Sequence, residues 1–275
     1  MDKRTLVNGQ YCETISTDDR GFNYGDGVFE TISVRNGKPL FLQQHLQRLE
    51  KGLDKLTIPK ELSALSDDIE RLLADTTVIP DAVLKIIVTR GNSLRGYKPE
   101  HDAPSNRVVS ISSALQSRFP DKGVTLRLCD SRLSLNPALA GIKHLCRIEQ
   151  VLARSEWTDP AIHEGIMLDI NGRVVEGTMS NIFLIKDSKL YTPNLEYCGV
   201  SGIVRGLILD SIAPTLSLEA YIEYISLENL LDADEVFISN SLIGIIPVET
   251  VVDRHYTSSI WTEKIISVYQ GLAYE

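Results

Sequence analysis

Lys143 is the first residue of this sequence to consider as a nucleophile. It follows an irregular stretch that contains proline and glycine, and it precedes an apolar pattern typical of a helix. Its neighbours Ile142 and Leu145 are apolar, so its ammonium group would be partly desolvated. Desolvation lowers the pKa of a lysine and makes a neutral amine available for covalent catalysis. A surface lysine at the start of a helix is the alternative explanation of this pattern.

Glu176 is a candidate binding carboxylate. It lies in NGRVVEGTMSNIFLIKD, where NGR predicts a turn and the apolar run after it predicts a hairpin with a buried second strand. A carboxylate inside such a run costs free energy unless it has a partner, and a protonated heterocyclic nitrogen would serve. A glutamate that faces water from an edge strand is equally consistent with this sequence.

Three segments carry groups suited to a phosphate. Arg48 shares a helix face with His45, and its guanidinium group is suited to clamping a phosphate, although a solvated face is the alternative. Segment 199–210 places glycines before an apolar helix whose first N–H groups would bind an anion, or it is an ordinary junction. Asn240 and Ser241 end a β-rich run and either add donors or belong to a turn.

Two arginines in VTRGNSLRGY are candidates for binding an anionic substrate. Arg90, Arg95 and Tyr97 lie at the end of a predicted strand and in the glycine-containing loop that follows it. Guanidinium groups there would hold carboxylates. A solvated loop explains the segment as well.

Apolar spacing predicts the elements that position these residues. Leucines, later joined by isoleucine, recur at three- and four-residue steps over 42–56 and 62–73, which predicts two amphipathic helices. FETISV and RNGKP predict strand, turn and strand, and the β-rich runs 82–91 and 106–114 are expected in the same sheet. Segment 115–123 breaks both periodicities and predicts the connection between two domains.

The second half mixes strands and helices in the same way. Strands are predicted at 124–130, around 166–187, at 219–225 and at 235–241. Helices are predicted from Leu145 through Leu152, after Gly202, at 226–232 and at the end of the chain. The mixture predicts α+β or α/β layering in a smaller N-terminal domain, 1–114, and in a larger C-terminal domain, 124–275.

Composition narrows the partners and the compartment. The formal net charge is −9, and binding of nucleic acid or of an anionic membrane, which needs a positive surface, is not expected. The cysteines at 12, 129, 146 and 198 are widely spaced, which fits free thiols in a reducing compartment and no metal site. No signal peptide or membrane span is visible, so we expect a cytoplasmic protein.

The order of these segments resembles that of the fold-type IV pyridoxal-phosphate enzymes. The segments cover nearly the entire chain: DRGFNYGDGVFET, HLQRL, RGNSLRGY, AGIKHLCRIEQVLARSE, VVEGTMSNIFL, GVSGIVRG and a strand that runs to IIPVE. The group contains branched-chain and D-amino acid aminotransferases and aminodeoxychorismate lyases, and the third and fourth segments are most similar to the lyases. The resemblance implies a two-domain α+β or α/β fold, an active site at the domain interface and a homodimer.

The resemblance also implies how pyridoxal 5'-phosphate would be bound. Lys143 would hold the cofactor as a Schiff base and carry the substrate proton, and Glu176 would pair with the pyridine nitrogen. The phosphate would be held by a third set of groups: Arg48, the backbone amides of Ile203 and Val204, and Ser241.

The implied substrate is 4-amino-4-deoxychorismate, which a lyase converts to 4-aminobenzoate and pyruvate for folate biosynthesis. Phe29 would line the pocket, and Arg90 and Arg95 would bind the substrate carboxylates. Two positions depart from the lyase pattern. Cys146 stands where that pattern usually has Asn, and Phe22 stands where some lyases have a threonine thought to help proton transfer.

Two other functions are consistent with the sequence. A D-amino acid or branched-chain transaminase would use the same residues but keep the amine on the cofactor. A non-catalytic binding protein would retain the fold and remain colourless after purification. The joint presence of lysine, glutamate and arginine at matching positions argues against the binding protein.

Overall fold

Contacts within the chain divide it into two units. The computed structural model describes a set of ranges: 3–74, 81–93, 96–100, 103–114, 120 and 123–274. The first unit is Met1–Leu115 with Ile142–Cys146, and the second is Gln116–Gly141 with Arg147–Glu275. The short segment joins the first unit because Phe29 N donates to Lys143 O and Leu145 N donates to Gly27 O, each at 2.9 Å.

The predicted domain division differs from these units at one segment. The sequence assigns residues 142–146 to the C-terminal domain, whereas their contacts are with the first unit. Periodicity gives no sign of this, because the segment pairs with a strand that is far away in the sequence. The connection predicted at 115–123 lies largely outside the described residues, so that boundary stays a prediction.

The described strands of the first unit form an antiparallel sheet. They are β1 (Lys3–Val7), β2 (Gln10–Tyr11), β3 (Gly27–Arg35), β4 (Lys38–Pro39), β5 (Asp81–Thr89) and β6 (Asn106–Ser113). Their order is β2-β1-β6-β5-β3-β4. Because side chains alternate between the faces of a strand, Val28 and Ile32 of β3 and Leu84 and Ile86 of β5 are buried together. The predicted strands in FETISV, 82–91 and 106–114 are confirmed.

The described helices of the first unit are α1 (Arg20–Tyr24), α2 (Leu42–Leu56) and α3 (Leu62–Ala74). The two longer helices cover this buried face. The predicted leucine stripes are confirmed, since residues of both longer helices join the hydrophobic core of the sheet: Leu49, Leu53, Leu65, Ile69 and Leu72. Helix α1 was not predicted because it is too short to show periodicity. Its signals are caps: Asp19 accepts from Phe22 N, and Gly25 is left-handed.

The described strands of the second unit form a mixed sheet. They are β7 (Val124–Leu133), β8 (Glu164–Asp169), β9 (Arg173–Gly177), β10 (Asn181–Lys186), β11 (Lys189–Pro193), β12 (Ala220–Glu223), β13 (Ile225–Ser226), β14 (Glu235–Asn240), β15 (Gly244–Val251) and β16 (Arg254–His255). Their order is β12-β11-β10-β14-β15-β7-β8-β9-β13, with β16 paired to β15. Strands β8, β10 and β14 are buried along almost their whole length. Other parts of the protein must therefore pack on both faces of the sheet at these strands.

Helices of the second unit follow the predicted pattern with one difference. They are α4 (Ile148–Arg154), α5 (Ile203–Leu207), which continues through a π-helical turn (Ile208–Ile212) into α6 (Ala213–Thr215), α7 (Leu227–Leu231) and α8 (Ile260–Tyr274). The predicted helices after Gly202, near 226–232 and at the end of the chain are confirmed. The prediction that α4 includes Leu145 is wrong, because the backbone of Leu145 bonds to Gly27.

Gly91 and Gly96 give a matched pair of substitutions. Both have positive φ, +86° and +84°, so alanine at either position is strained. A Cβ at Gly91 would lie 2.1 Å from the carbonyl oxygen of Pro104, whereas no described atom lies within 4 Å of a Cβ at Gly96. We expect Gly91→Ala to lower the free energy of unfolding by about 1–3 kcal/mol more than Gly96→Ala, because the Pro104 backbone must move. Urea unfolding measures the difference, and equal losses would contradict it.

Candidate active site

Lys143 lies in the segment that pairs with β3. His144 forms a β-bridge with Val28, and Phe29 N donates to Lys143 O at 2.9 Å, so the Lys143 backbone is fixed to the strand. The side chain is half-buried, and its Nζ lies 4.4 Å from the centre of the Phe29 ring. The structure brings Lys143 and Phe29 together. Their roles in catalysis stay predictions.

Arg48 and His45 share a face of α2 that is directed at Glu30 of β3. Glu30 accepts from Arg48 Nε at 2.8 Å and from Arg48 Nη2 at 2.5 Å, and its Oε2 lies 2.6 Å from His45 Nδ1. His45 and Glu30 are fully buried, so the alternative of a solvated helix face is wrong for His45. The fork of the Arg48 guanidinium binds a protein carboxylate in the way that it would bind a phosphate. Its contact with a cofactor phosphate stays a prediction.

Burial and pairing set the charges of this cluster. Burial alone would raise the pKa of Glu30, but hydrogen bonds from Arg48 and His45 outweigh it and hold that pKa below its ordinary value. Burial lowers the pKa of His45 against the opposing effect of Glu30, and the charges of Arg48 and Lys143 add to the lowering. At neutral pH His45 is therefore neutral, and its Nδ1–H donates to an ionised Glu30.

Arg90 lies in a second cluster of charges, around Asp26. Its guanidinium donates to the Asp26 carboxylate at 2.8 and 3.1 Å and to the carbonyl oxygens of Thr57 and Leu56 at 2.8 and 2.5 Å. Arg20 Nε donates to the same carboxylate at 2.8 Å. Burial alone would raise the pKa of Asp26, but hydrogen bonds from Arg90 and Arg20 outweigh it and lower that pKa. These contacts favour a structural role for Arg90 over the predicted recognition of a substrate carboxylate.

Other positions of the predicted substrate region are partly described. Arg95 lies outside the described residues, so its predicted role stays a prediction. Tyr97 is exposed, and its carbonyl accepts from Arg20 Nη2 at 2.9 Å. Phe22 is exposed too, and Cys146 lies at the turn after α1, where its thiol donates to carbonyl oxygens at 3.6 Å. Phe22 and Cys146, the two residues that differ from the lyase pattern, are therefore both outside the hydrophobic cores.

Glu176 is buried on β9 in the second unit. Its Oε2 accepts from Val200 N at 2.8 Å, and it lies 3.3 Å from the position that a Cβ at Gly199 would take. The alternative of an edge-strand glutamate that faces water is therefore wrong. Such a buried carboxylate is a suitable partner for a protonated ring nitrogen.

The first turn of α5 follows directly from the segment that Glu176 contacts. Asn181 Nδ2 donates to Val200 O at 2.9 Å, and a Cβ at Gly202 would lie 1.9 Å from Asn181 Oδ1, so only glycine fits there. Gly202 caps the helix, and Ile203 and Val204 are its first two residues. Amides in the first turn of a helix have no acceptor within the helix, and they are suited to an anion such as a phosphate.

Ser241 lies beside a turn that Asn240 organises. Asn240 Oδ1 accepts from Leu242 N at 2.8 Å and from Ile243 N at 2.9 Å, and its Nδ2 donates to Met179 O at 3.1 Å. The turn explanation is therefore confirmed for Asn240. Ser241 is half-buried next to it, and its contact with a phosphate stays a prediction.

Sequence reasoning missed two carboxylates that organise the arginines. Glu30 binds Arg48 and Asp26 binds Arg90, the two arginines for which the sequence predicts external anions as ligands. A signal exists for Glu30: it alternates with Val28 and Ile32 and so belongs to the buried face of β3. An acid in that position requires a cation or several donors.

The described residues fit the predicted cofactor. Pyridoxal phosphate has an aldehyde, a ring nitrogen and a phosphate, which need an amine, a carboxylate and N–H or cationic donors. Lys143 offers the amine, Glu176 the buried carboxylate, and the first amides of α5 the donors. Over the same described residues, no three His, Cys, Asp or Glu side chains are grouped as metal ligands.

Comparison with known proteins identifies the family. Residues 27–251 match the family described as amino-transferase class IV. The aminodeoxychorismate lyase of Vibrio harveyi is 36% identical over 89% of this chain and 90% of its own. A crystal structure of 4-amino-4-deoxychorismate lyase from Pseudomonas aeruginosa is 41% identical, with a TM-score of 0.90 over 97% of this chain and 98% of its own. A D-alanine aminotransferase of Listeria monocytogenes is 30% identical over 89% of this chain and 86% of its own. The predicted two-domain fold class is confirmed.

His45 should make stability depend on pH in a defined window. Below its ordinary pKa of 6.5, His45 takes up a proton in the unfolded chain but not in the folded one, because burial lowers its folded pKa. Stability is therefore lost as pH falls from about 6.5, by at most about 1.4 kcal/mol per pH unit for one proton. His45→Asn keeps an N–H donor near Glu30 and should flatten the dependence between pH 7.5 and 5.5. Urea unfolding of both proteins at these pH values measures it, and parallel losses would exclude His45 as the cause.

Proposed function

Because the chain belongs to the amino-transferase class IV family, we propose that it is a lyase that converts 4-amino-4-deoxychorismate to 4-aminobenzoate and pyruvate. Membership of this family confirms the predicted family and its cofactor, pyridoxal 5'-phosphate. The observation that carries the proposal is the similarity to two aminodeoxychorismate lyases over about nine tenths or more of the chain. Release of 4-aminobenzoate is a step of folate biosynthesis, which is the proposed role.

The residues of each unit have separate tasks in this proposal. Bound pyridoxal phosphate supplies an electron sink for the substrate carbon that carries the amine. Lys143 would hold its aldehyde carbon, and Glu176 would keep its ring nitrogen protonated because a neighbouring carboxylate stabilises the protonated form. The phosphate would be held by the amides of Ile203 and Val204, by Arg48 and by Ser241.

Lys143 also moves the proton. When the substrate amine has taken its place, its Nζ would take the hydrogen from ring carbon 4 of the substrate as a general base. The electron pair of that C–H bond forms a double bond to the adjacent ring carbon as the bond from that carbon to the enolpyruvyl oxygen breaks. Enolpyruvate leaves with the oxygen and takes up a proton on its CH2 carbon to become pyruvate. The ring becomes aromatic, which makes the step effectively irreversible. The Phe29 ring beside Nζ limits the positions that the amine can take.

A D-amino acid or branched-chain transaminase is the second candidate. The 30% identity to a D-alanine aminotransferase over most of the chain favours it. The same amine would then return the proton to a different carbon, and the amino group would stay behind. The two reactions differ in their products, so they are separable by experiment.

The proposed enzyme is cytoplasmic. The cysteines at 12, 129, 146 and 198, all within the described residues, are free thiols, which fits a reducing compartment. In the described part of the chain, none of the helices combines the length and the apolar character needed to cross a bilayer.

The proposed enzyme is also a homodimer, and α4 offers an apolar face for the contact. Ile148, Val151 and Leu152 are 64%, 56% and 56% exposed. Residues three and four positions apart share a helix face, so the three form a stripe. Exposed apolar stripes of this kind mark protein contacts.

The product test separates the candidate functions. Protein purified with pyridoxal phosphate is incubated with 4-amino-4-deoxychorismate, and pyruvate is measured. A parallel reaction contains D-alanine or a branched-chain amino acid with 2-oxoglutarate, and glutamate is measured. We expect pyruvate from the first reaction and little glutamate from the second. Glutamate without pyruvate would establish the transaminase, and a colourless protein that forms neither product would establish a binding protein.

Two lysines beside the same aromatic ring make this test specific. Nζ of Lys143 lies 4.4 Å from the centre of the Phe29 ring, and Nζ of Lys85 lies 5.8 Å from it. Lys143→Ala should slow pyruvate release at least about a hundredfold and remove the borohydride-sensitive absorbance of the bound cofactor. Lys85→Ala should leave both unchanged. Wild-type turnover by Lys143→Ala would show that another group carries the reaction.

The dimer contact has a matched control at the start of another helix. Ile148 begins α4 and Ile260 begins α8, and both are 64% exposed. Ile148→Glu should weaken dimerisation at least about tenfold, since a charge placed in an apolar contact loses its hydration. Ile260→Glu should not. Sedimentation velocity over a range of concentrations measures both, and equal behaviour of the two variants would place the contact elsewhere.

A further inference from the structure

Glu164 is a fully buried carboxylate at the start of β8 that binds a single turn of the second unit. Its Oε1 accepts from Thr178 N at 3.1 Å, from Thr178 Oγ1 at 2.5 Å and from the amide of Gly165 at 2.9 Å. Its Oε2 accepts from Met179 N at 3.2 Å and from Ser180 Oγ at 3.0 Å. Neutral donors from three successive residues of the turn therefore surround one anion.

The turn that Glu164 binds is tightly packed. It runs from Gly177, the last residue of β9, to Asn181, the first residue of β10, and Gly177 N donates to Ser180 O at 2.6 Å. A Cβ at Gly177 would lie 2.3 Å from Ser180 Oγ and 3.1 Å from Glu164 Cδ. The carboxyl group of Glu164 is thus packed directly against the turn that it binds.

The two ends of this turn hold Val200 from both sides. Glu176, just before the turn, accepts from Val200 N at 2.8 Å, and Asn181, at its end, donates to Val200 O at 2.9 Å. Val200 lies two residues before Gly202, the cap of α5. The conformation of the turn therefore sets the position of the Glu176 carboxylate relative to the first amides of α5.

We propose that Glu164 is a positioning residue that fixes this turn and thereby holds the Glu176 carboxylate in register with the amides of Ile203 and Val204. This inference rests on the proposed function, in which these two sets of groups bind the ring nitrogen and the phosphate of one cofactor. Glu164 acts through its neighbours and does not touch the cofactor itself.

The substitution Glu164→Gln removes the anion at nearly constant volume. A glutamine amide group replaces one acceptor oxygen with an NH₂ donor, which would face the N–H and O–H donors of the turn. Buried donors that lose their acceptor are costly, so the turn has to move. The Glu176 carboxylate and the amides of α5 would then fit the cofactor less well.

Glu235 provides the matched control. It is also buried in the second unit, on β14, and it also binds only neutral donors among its described contacts: Trp261 N at 3.0 Å, Thr262 N at 2.9 Å, Thr262 Oγ1 at 2.8 Å and Ser258 Oγ at 3.2 Å. These donors lie at the start of α8 and not at the 177–181 turn. Glu235→Gln therefore reproduces the structural loss without the effect on Glu176.

The test measures pyridoxal-phosphate affinity and the visible absorbance of the bound cofactor, together with the melting temperature of the apoprotein. Both variants should melt at a lower temperature than the wild type. Glu164→Gln should also weaken cofactor binding at least about tenfold and change the pH dependence of the absorbance, whereas Glu235→Gln should do neither. Equal cofactor affinity in the two variants would overturn the inference.

A second pair of variants keeps the test informative if Glu164→Gln does not fold. Thr178→Val removes one donor to Glu164 while keeping the shape of the side chain, and Thr178→Ser keeps the hydroxyl. Thr178→Val should weaken cofactor binding relative to Thr178→Ser, and the same affinity in both would overturn the inference. If the wild type binds no pyridoxal phosphate, the proposed function fails first. If it binds the cofactor and releases pyruvate while the variants show no difference, only the role of Glu164 fails.

Discussion

Backbone hydrogen bonds between β3 and residues 142–146 fix the main chain that carries Lys143, the residue on which the proposed chemistry depends. Phe29 N donates to Lys143 O, and Leu145 N donates to Gly27 O. The segment forms no helix of its own, so its backbone polar groups need partners from the sheet. Because these bonds involve main-chain atoms, they fix the backbone of Lys143 without using its side chain. The Phe29 ring then limits where Nζ can lie.

Elsewhere in the protein, buried carboxylates fix neighbouring groups by hydrogen bonds. Their partners are of two kinds. Glu30 is bound by the guanidinium of Arg48 and by neutral His45, so its charge is balanced by a cation. Glu164 and Glu235 are surrounded by N–H and O–H donors of short segments. A cation fixes one side chain, whereas a set of backbone amides fixes a stretch of main chain. The second kind is suited to shaping a turn beside a binding site.

The spacing of apolar residues correctly predicts helices and strands, because these elements depend on residues close together in the sequence. The leucine steps gave α2 and α3, and the alternation in FETISV gave β3, because a helix or strand buries one face whatever it packs against. The order of the motifs indicated Lys143 and Glu176, and the structure places one beside an aromatic ring and buries the other. The partners of Arg48 and Arg90 were not predictable in this way. Glu30 and Asp26 contact them through the packing of α2 on β3 and the pairing of β3 with β5. The sequence can therefore indicate a buried acid at position 30, but not which arginine pairs with it.

Because these arginines are paired with acids, the way in which an acidic chain binds an anion has to be considered. With a net charge of −9, the protein has no positive field to attract a phosphate or a dicarboxylate, so binding must be local. Arg20 and Arg90 bind Asp26, and Arg48 binds Glu30, so much of the cationic charge in the described part of the first unit is matched by acids. Backbone amides carry no charge that a neighbouring carboxylate can cancel. The start of α5, shaped by Gly202 and held through Val200, is therefore suited to a phosphate whatever the overall charge of the protein.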